Sequence, residues 1–335
     1  MGNCMTPKEN ISAAEKLVFY VNIYVDGIIS VAGIFGNILI LLTLKNTPHV
    51  SSYTIYIRVL AFVEVIFVAY CLLYTTFRTA AKYTDCMANY LKAEPILVSV
   101  ALPIAWMLQT SSIWITAMLA VDRRIAVDKP LKSLTFCTSI IAKRVSALTI
   151  LGCVLFNTPR FAYYSAVSKL ETNASYVHIA HLRVNLPGWD ASIYYWLYHV
   201  GLTFALVFIL PLGIIAVCDV YLVKALRKAD KFRQLHARES KNKVLKTPVP
   251  VSRTIVVNMV VVISKLLICQ TPDFLMGIAQ AARVDRNAAA YKIFSTLKEM
   301  LLIISNETMI LHKHIVSSLT LAEYRQLTEK KDGYL

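Results

Sequence analysis

Apolar residues run along this chain in seven long stretches, near residues 17–45, 53–80, 95–121, 140–163, 192–223, 254–280 and 290–316, separated by shorter polar segments. Each stretch reaches or exceeds the roughly 20 residues that a helix needs to cross about 30 Å of hydrocarbon. Long unbroken runs favour helices over the alternation of barrel strands, and only those two structures satisfy the backbone inside a bilayer. The stretches are not uniformly greasy. Glu64, Lys265, Asp273, Glu299 and Lys313 interrupt them, with His312 and His314. Charges inside spans are costly and usually face the protein interior or a water-filled cavity, so the pattern predicts an all-α bundle of seven transmembrane helices with a polar interior. The predicted organisation is a short amino-terminal segment over residues 1–16, a seven-span domain over 17–316, and a tail over 317–335. Within that tail Leu319, Ala322 and Leu327 are spaced among polar residues, as in a short amphipathic helix lying on the membrane surface.

Composition agrees with this reading. Hydrophobic residues make up 57% of the 335 and charged ones 16%, against about 45–50% and 25% in soluble domains, and the mean hydropathy is +0.56. The net charge of +15 is unevenly placed: Lys224, Arg227, Lys228, Lys231, Arg233, Arg238, Lys241, Lys243, Lys246 and Arg253 crowd between the fifth and sixth stretches. Basic loops stay on the cytoplasmic side, so the amino terminus is expected outside the cell and the carboxyl terminus inside, in a multi-pass plasma-membrane protein. Attraction to anionic lipid then accounts for the basic balance with no nucleic-acid partner. The sequons Asn10-Ile-Ser and Asn173-Ala-Ser fall on the expected outer side as glycosylation sites. Residues 1–16 are polar and carry both signs, so no cleaved leader is expected. MGNCMT matches a myristoylation pattern at Gly2, but an outer terminus is inaccessible to that chemistry.

Seven scattered cysteines show no metal-ligand spacing, and most sit in or beside apolar stretches as small hydrophobes. No His-Glu-x-x-His, Gly-x-Ser-x-Gly or phosphate loop occurs, so no enzyme, no cofactor and no metal is expected. A transporter or channel would be favoured by repeats or broken helices in corresponding halves, and no such symmetry is visible.

The stretch from Met107 to Ser133, MLQTSSIWITAMLAVDRRIAVDKPLKS, carries the most specific chemistry. Ala105, Gln109, Ser112, Thr116 and Arg123 share one helical face, a polar stripe suited to the bundle interior. Asp122, Arg123 and Arg124 end the apolar run, and Pro130-Leu131 follow. This arrangement resembles the third helix and second inner loop of rhodopsin-like G-protein-coupled receptors. Gly36-Asn37 in the first stretch, Leu60-Ala61-Phe62-Val63-Glu64 in the second, Pro211 in the fifth and Cys269-Gln270-Thr271-Pro272 in the sixth are similar to the family's elements. LFNTPRF at 155–161 and TFCT at 135–138 resemble invertebrate FMRFamide-type neuropeptide receptors. The resemblance implies that Asp122, Arg123, Arg124, Pro130 and Leu131 meet a heterotrimeric G protein. It also implies an interior polar hub at Asn37, Glu64, Ser112 and Asn306, and a sixth-helix hinge at Cys269, Gln270 and Pro272 that swings outward.

Departures from the family pattern fall on its switch positions. Arg124 replaces a Tyr or Phe, Gln270 replaces the hinge Trp, Asp219 stands where a Tyr is common, and Ile310 to His314 overlies Asn-Pro-x-x-Tyr without its Asn, Pro or Tyr. Without that Asn one sodium ligand is missing, and a protonated Glu64 is the alternative to an ion. The usual outer disulfide has no counterpart; Cys4 with Cys86 is the one conceivable outer pair. Ala105 lies where amine receptors place an Asp, and Ile304 near where an opsin places its Lys, so monoamine and light are disfavoured. An amidated FMRFamide-like peptide is the expected agonist, with Asp273 receiving its Arg and Trp106, Gln109, Tyr195 and Glu299 lining the same cavity. A small-molecule agonist, as in a chemosensory receptor on the same fold, is the alternative.

Overall fold

A computed structural model describes residues 6–8, 10–45, 51–84, 88–163, 195–239 and 275. Every regular element among them is helical. Five are long and apolar enough to cross a membrane: Ala13–Lys45, Ser52–Tyr83, Ser99–Asp128, Ser139–Phe161 and Phe204–Ala225. The sixth and seventh predicted spans and the amphipathic tail lie outside the described residues.

Helix α1 is Ala13–Lys45, starting four residues before the predicted span. Its start is fixed locally. Ser12 accepts from the Glu15 amide at 3.3 Å while Glu15 accepts from the Ser12 amide at 3.2 Å, a reciprocal cap that satisfies two orphan donors. Inside α1 a wide π-turned stretch, Val21–Val25, is followed by regular helix. Asn22, Asp26, Ser30 and Asn37 are all buried, whereas Ile28, Val31, Phe35 and Leu42 are more than half exposed. Polar inside and apolar outside inverts the soluble pattern and fits a helix whose outer face meets lipid. Asn22 donates to Thr79 Oγ1 at 3.2 Å, joining α1 to α2 (Ser52–Tyr83).

Helix α3, Ala88–Asp128, is the centre of the packing among the described residues: α2, the fourth-span helix and the fifth-span helix all lie against it. It runs seven residues past the predicted end of the third span, so Asp122, Arg123 and Arg124 lie in continuous helix. The small residues Ala61, Ala117 and Ala142 are essentially fully buried, with Leu60 and Ile115. Without a hydrophobic drive between helices in lipid, such residues let backbones approach closely and gain dispersion contacts. A short helix, α4 (Pro130–Phe136), starts on Pro130, whose missing N–H costs nothing in a first turn. Helix α5 (Ser139–Asn157) is capped by Thr138, which accepts from Ile141, and ends just before Pro159, where α6 (Pro159–Tyr163) resumes.

The fifth span belongs to α7, residues 195–239, and its first half departs from regular helix. Tyr195–Leu202 and Phe204–Ile209 are π-helical, and regular helix holds from Leu210 to Glu239. Pro211 supplies a reason: it has no N–H for the carbonyl four residues back and its ring crowds that carbonyl, so the preceding turn widens. The Leu210 amide accordingly bonds Ala205, five residues back. Much of the basic segment expected as a loop from Lys224 is helix, which extends to Glu239.

Candidate functional site

Three groups of polar side chains sit along α3. At one end of the bundle, Asp122 is 6% exposed and Arg123 is bonded to it through Nε at 3.2 Å and through Nη2. Ser52, at the start of α2, donates to the same carboxylate oxygen at 2.9 Å and accepts from Arg123 at 3.3 Å. The Arg123 guanidinium also lies 4.6 Å from the Tyr53 ring centroid. Successive residues do not ordinarily face each other on a helix; here the long arginine arm folds back beside its neighbour and bridges to α2. Charge-assisted bonds of this kind are the stronger ones, yet Arg123 keeps 35% of its side-chain surface exposed, so the latch lies at the bundle's mouth. Cys137, just past α4, donates its thiol to the Asp122 carbonyl at 3.6 Å. Burial, and then the Asp122 charge, push that thiol up to about 11.

Arg124 turns the other way. Its guanidinium stacks 4.0 Å from the centroid of Tyr221 on α7, two residues beyond Asp219. One departure read from sequence, Arg124, thus makes an α3–α7 contact, and an arginine-on-aromatic stack occupies it. Beyond Asp128, Leu131, Leu134 and Phe136 are 83%, 77% and 57% exposed, so α4 presents an apolar ridge beside the arginine latch.

Midway along α3, Ser112 donates to Glu64 Oε1 at 3.2 Å, both residues being buried. Two members of the expected hub are therefore brought together. Asn37 is fully buried on α1 and donates to Gly33 at 3.2 Å; its Oδ1 has no hydrogen-bond partner among the described residues. Asn306 lies outside the described residues, so the fourth member of the hub is not placed.

At the opposite end from Asp122, Trp106 is half-buried and Gln109 buried, three residues apart on α3. Beside them is a residue that sequence reasoning did not single out: Arg160 is fully buried, 4.2 Å from the Trp106 centroid and 5.5 Å from that of Tyr198. Its one sequence signal is the LFNTPRF string, read there only as a resemblance. Ser52, Tyr53 and Tyr221 were missed for another reason: they complete sites whose other halves are far away in the chain.

Tyr195 opens α7 at this same end. Asp273, Glu299, Cys269, Gln270, Pro272 and the sequon Asn173 lie outside the described residues, as do Cys4 and Cys86. Asn10 is exposed, two residues before the capping Ser12. Cys137, Cys153 and Cys218 are free thiols, and no cluster of metal-ligating side chains occurs among the described residues.

Comparison with known proteins places this geometry. The chain is 24% identical over 234 residues to an FMRFamide receptor of Drosophila melanogaster, covering 69% of this chain and 42% of that protein. It is 30% identical over 174 residues to the sex peptide receptor of the same organism, covering 50% and 39%, and 27% identical over 215 residues to the FMRFamide peptide receptor frpr-18 of Caenorhabditis elegans, covering 63% and 48%. Each match spans less than half of the relative's own length. The model of the seven-transmembrane receptors of the rhodopsin family matches residues 36–308, across the predicted sixth span and most of the seventh. The chain therefore belongs to the rhodopsin family of seven-transmembrane receptors.

Proposed function

We propose that the chain is a peptide receptor activated by an amidated FMRFamide-like neuropeptide and signalling through a heterotrimeric G protein. The observation that carries the signalling half is the Arg123 latch: a guanidinium at the bundle's mouth, held by Asp122, Ser52 and the Tyr53 ring. Such an arginine has two places to be, bonded inside the bundle or extended toward a partner. An agonist acts by shifting the population between them, which requires that it bind one state more tightly than the other. The exposed ridge of Leu131, Leu134 and Phe136 gives the G protein an apolar foothold next to the latch. The chain would act by binding and conformational change, with no catalytic step.

The ligand class rests on the three relatives, each a receptor named for a peptide. In this reading the amino terminus is extracellular, Asn10 and Asn173 carry glycans, and the peptide enters at the Trp106 end. Asp273 pairs with the peptide's arginine, with Gln109, Trp106, Tyr195 and Glu299 around it, while Cys269, Gln270 and Pro272 form the hinge of the sixth helix. The test is a screen of amidated peptides on cells expressing the chain, read by second messengers. A saturable response that disappears in Arg123→Ala at equal surface expression is expected. A wild-type chain silent to amidated peptides but responsive to small odorant-like molecules would replace the peptide by a chemosensory ligand.

A further inference from the structure

Burying a guanidinium is expensive, and a fold gains little stability from it compared with an apolar side chain of similar volume. Arg160 nevertheless heads the fully buried side chains by size. Pro159 explains how it gets there. It opens α6 a single intervening residue after α5 ends, and from there Arg160 reaches side chains of α3, α5 and α7.

Its bonds form a directed chain across those helices. Arg160 Nε donates to Asn157 Oδ1 at 2.8 Å, and Asn157 Nδ2 donates onward to Thr110 Oγ1 on α3 at 3.2 Å and to the Cys153 carbonyl at 2.8 Å. On the other side Arg160 Nη2 donates to Thr203 Oγ1 at 2.8 Å, while the Thr203 hydroxyl spends its own proton on the Tyr198 carbonyl at 3.0 Å. Thr203 is the single residue between the two π-helical stretches of α7. Wide turns shift the carbonyl ladder, and side-chain bonds in both directions secure this helix: Trp114 Nε1 on α3 donates to the Leu206 carbonyl at 3.1 Å, and the hydroxyl of Tyr198, on α7 itself, donates to the Phe156 carbonyl on α5. π-turns of this sort recur at functional sites, where they re-aim side chains.

We infer that Arg160 is a positioning residue: it sets the register of the wide-turned stretch of α7 against Trp106 on α3, and through that the agonist affinity of this end of the bundle. The second clause rests on the receptor reading above; the first does not. A lysine cannot replace it, because an ammonium offers neither two diverging in-plane donors nor a flat face for Trp106 and Tyr198.

The experiment compares amide hydrogen exchange in the full-length wild type, Arg160→Lys, Thr203→Val and Thr203→Ser, purified in lipid nanodiscs, and adds concentration–response curves to Phe-Met-Arg-Phe-amide in cells. Thr203→Val deletes one link while leaving the guanidinium and its bond to Asn157 in place, so it reports even where Arg160→Lys fails to fold. Expected is exchange faster by about tenfold or more across 195–209 in Arg160→Lys and Thr203→Val, the scale of one lost bond to a charged group. Residues 52–83 should be unchanged and Thr203→Ser should match wild type. Peptide potency should fall by a similar factor in the same two variants with maximal response kept. Wild-type exchange over 195–209 in Thr203→Val, or equal acceleration in every span, overturns the positioning role; faster exchange with unchanged potency overturns its link to affinity. A wild type silent to the peptide removes the peptide reading alone, and exchange still decides the role of Arg160.

Discussion

The buried pair Glu64 and Ser112 shows how far single residues could be read in advance. An acid in the second apolar stretch and a hydroxyl on the polar stripe of the third were expected to meet, and the 3.2 Å bond joins them. Removing the donor leaves a buried acceptor short of a partner, so Ser112→Ala should cost about 1–3 kcal/mol, seen as a lowered thermal midpoint of the purified receptor. Sodium is a separate matter: with Ile310 where the family's Asn would stand, agonist affinity is expected to be insensitive to sodium, and a sodium effect abolished by Glu64→Gln would refute this. Cys137 was not singled out, because nothing local marks a thiol that takes its environment from Asp122, fifteen residues earlier. Its pKa of about 11, above the ordinary 9, keeps it protonated at neutral pH. The thiolate is the nucleophile, so alkylation by maleimide should be slow at pH 7.5 and climb steadily toward pH 11. Any stability it lends is complete below pH 9 and lost between about 9 and 11, the window in which an unfolded thiol ionises and the folded one does not. Asp122→Asn removes the charge that, after burial, most raises the thiol and should speed alkylation at pH 8.

Elements were legible wherever one face differs from the other in polarity. Apolar length placed α1 and α2 within four residues at each end, since crossing a bilayer demands it, whereas α3 runs seven residues past the predicted stretch at either end. It could not place the π-turned start of α7, which depends on Pro211, on Arg160 and Trp114 reaching in from other helices, and on Tyr198 reaching out to α5. Nor did it reveal that α7 continues to Glu239, because beyond the apolar run a helix and a charged loop look alike in composition. The start of α1 was written in the sequence but overlooked: Ser12 and Glu15 stand at capping-box spacing. Ser12 is also the hydroxyl residue of the Asn10 sequon, so with the glycan proposed at Asn10 one side chain would serve two chemistries. Ser12→Ala should remove the glycan and loosen the first turn by about 1 kcal/mol, visible as faster exchange at 13–17. Asn10→Gln should remove only the glycan, and Ser12→Thr should keep both. A glycan that survives Ser12→Ala, or an equally frayed turn in Asn10→Gln, would show that the two roles are not combined there.

At the scale of the whole molecule, orientation decides whether the latch and the peptide end face the compartments that the proposed function needs. The family match and the five apolar helices establish a multi-pass membrane protein; the sense of insertion is a prediction from charge. Basic residues cluster after α3 and along α7 beyond Tyr221, on the same side as the Arg123 latch, whereas the Trp106 end of the bundle lacks such a cluster in its short connections. Lys and Arg near span ends are retained on the cytoplasmic side during insertion, while Asp and Glu contribute little. Arg123 and the ridge of Leu131 should then face the cytosol, and the Trp106 end the outside. An epitope placed before Thr6 is expected to be stained on intact cells, and one placed at 240–246 only after permeabilisation. The same geometry sets the functional outcome of breaking the latch. Ser52→Ala removes one of the bonds to the Asp122 carboxylate and one of the bonds from Arg123. At about 1 kcal/mol for such a bond, basal signalling should rise several-fold with unchanged surface expression, and Arg123→Ala in the same background should silence it. Basal signalling that is unchanged in Ser52→Ala would mean that the latch does not hold the resting state. An amino-terminal epitope hidden on intact cells would turn the whole arrangement over and remove the G protein from reach of Arg123.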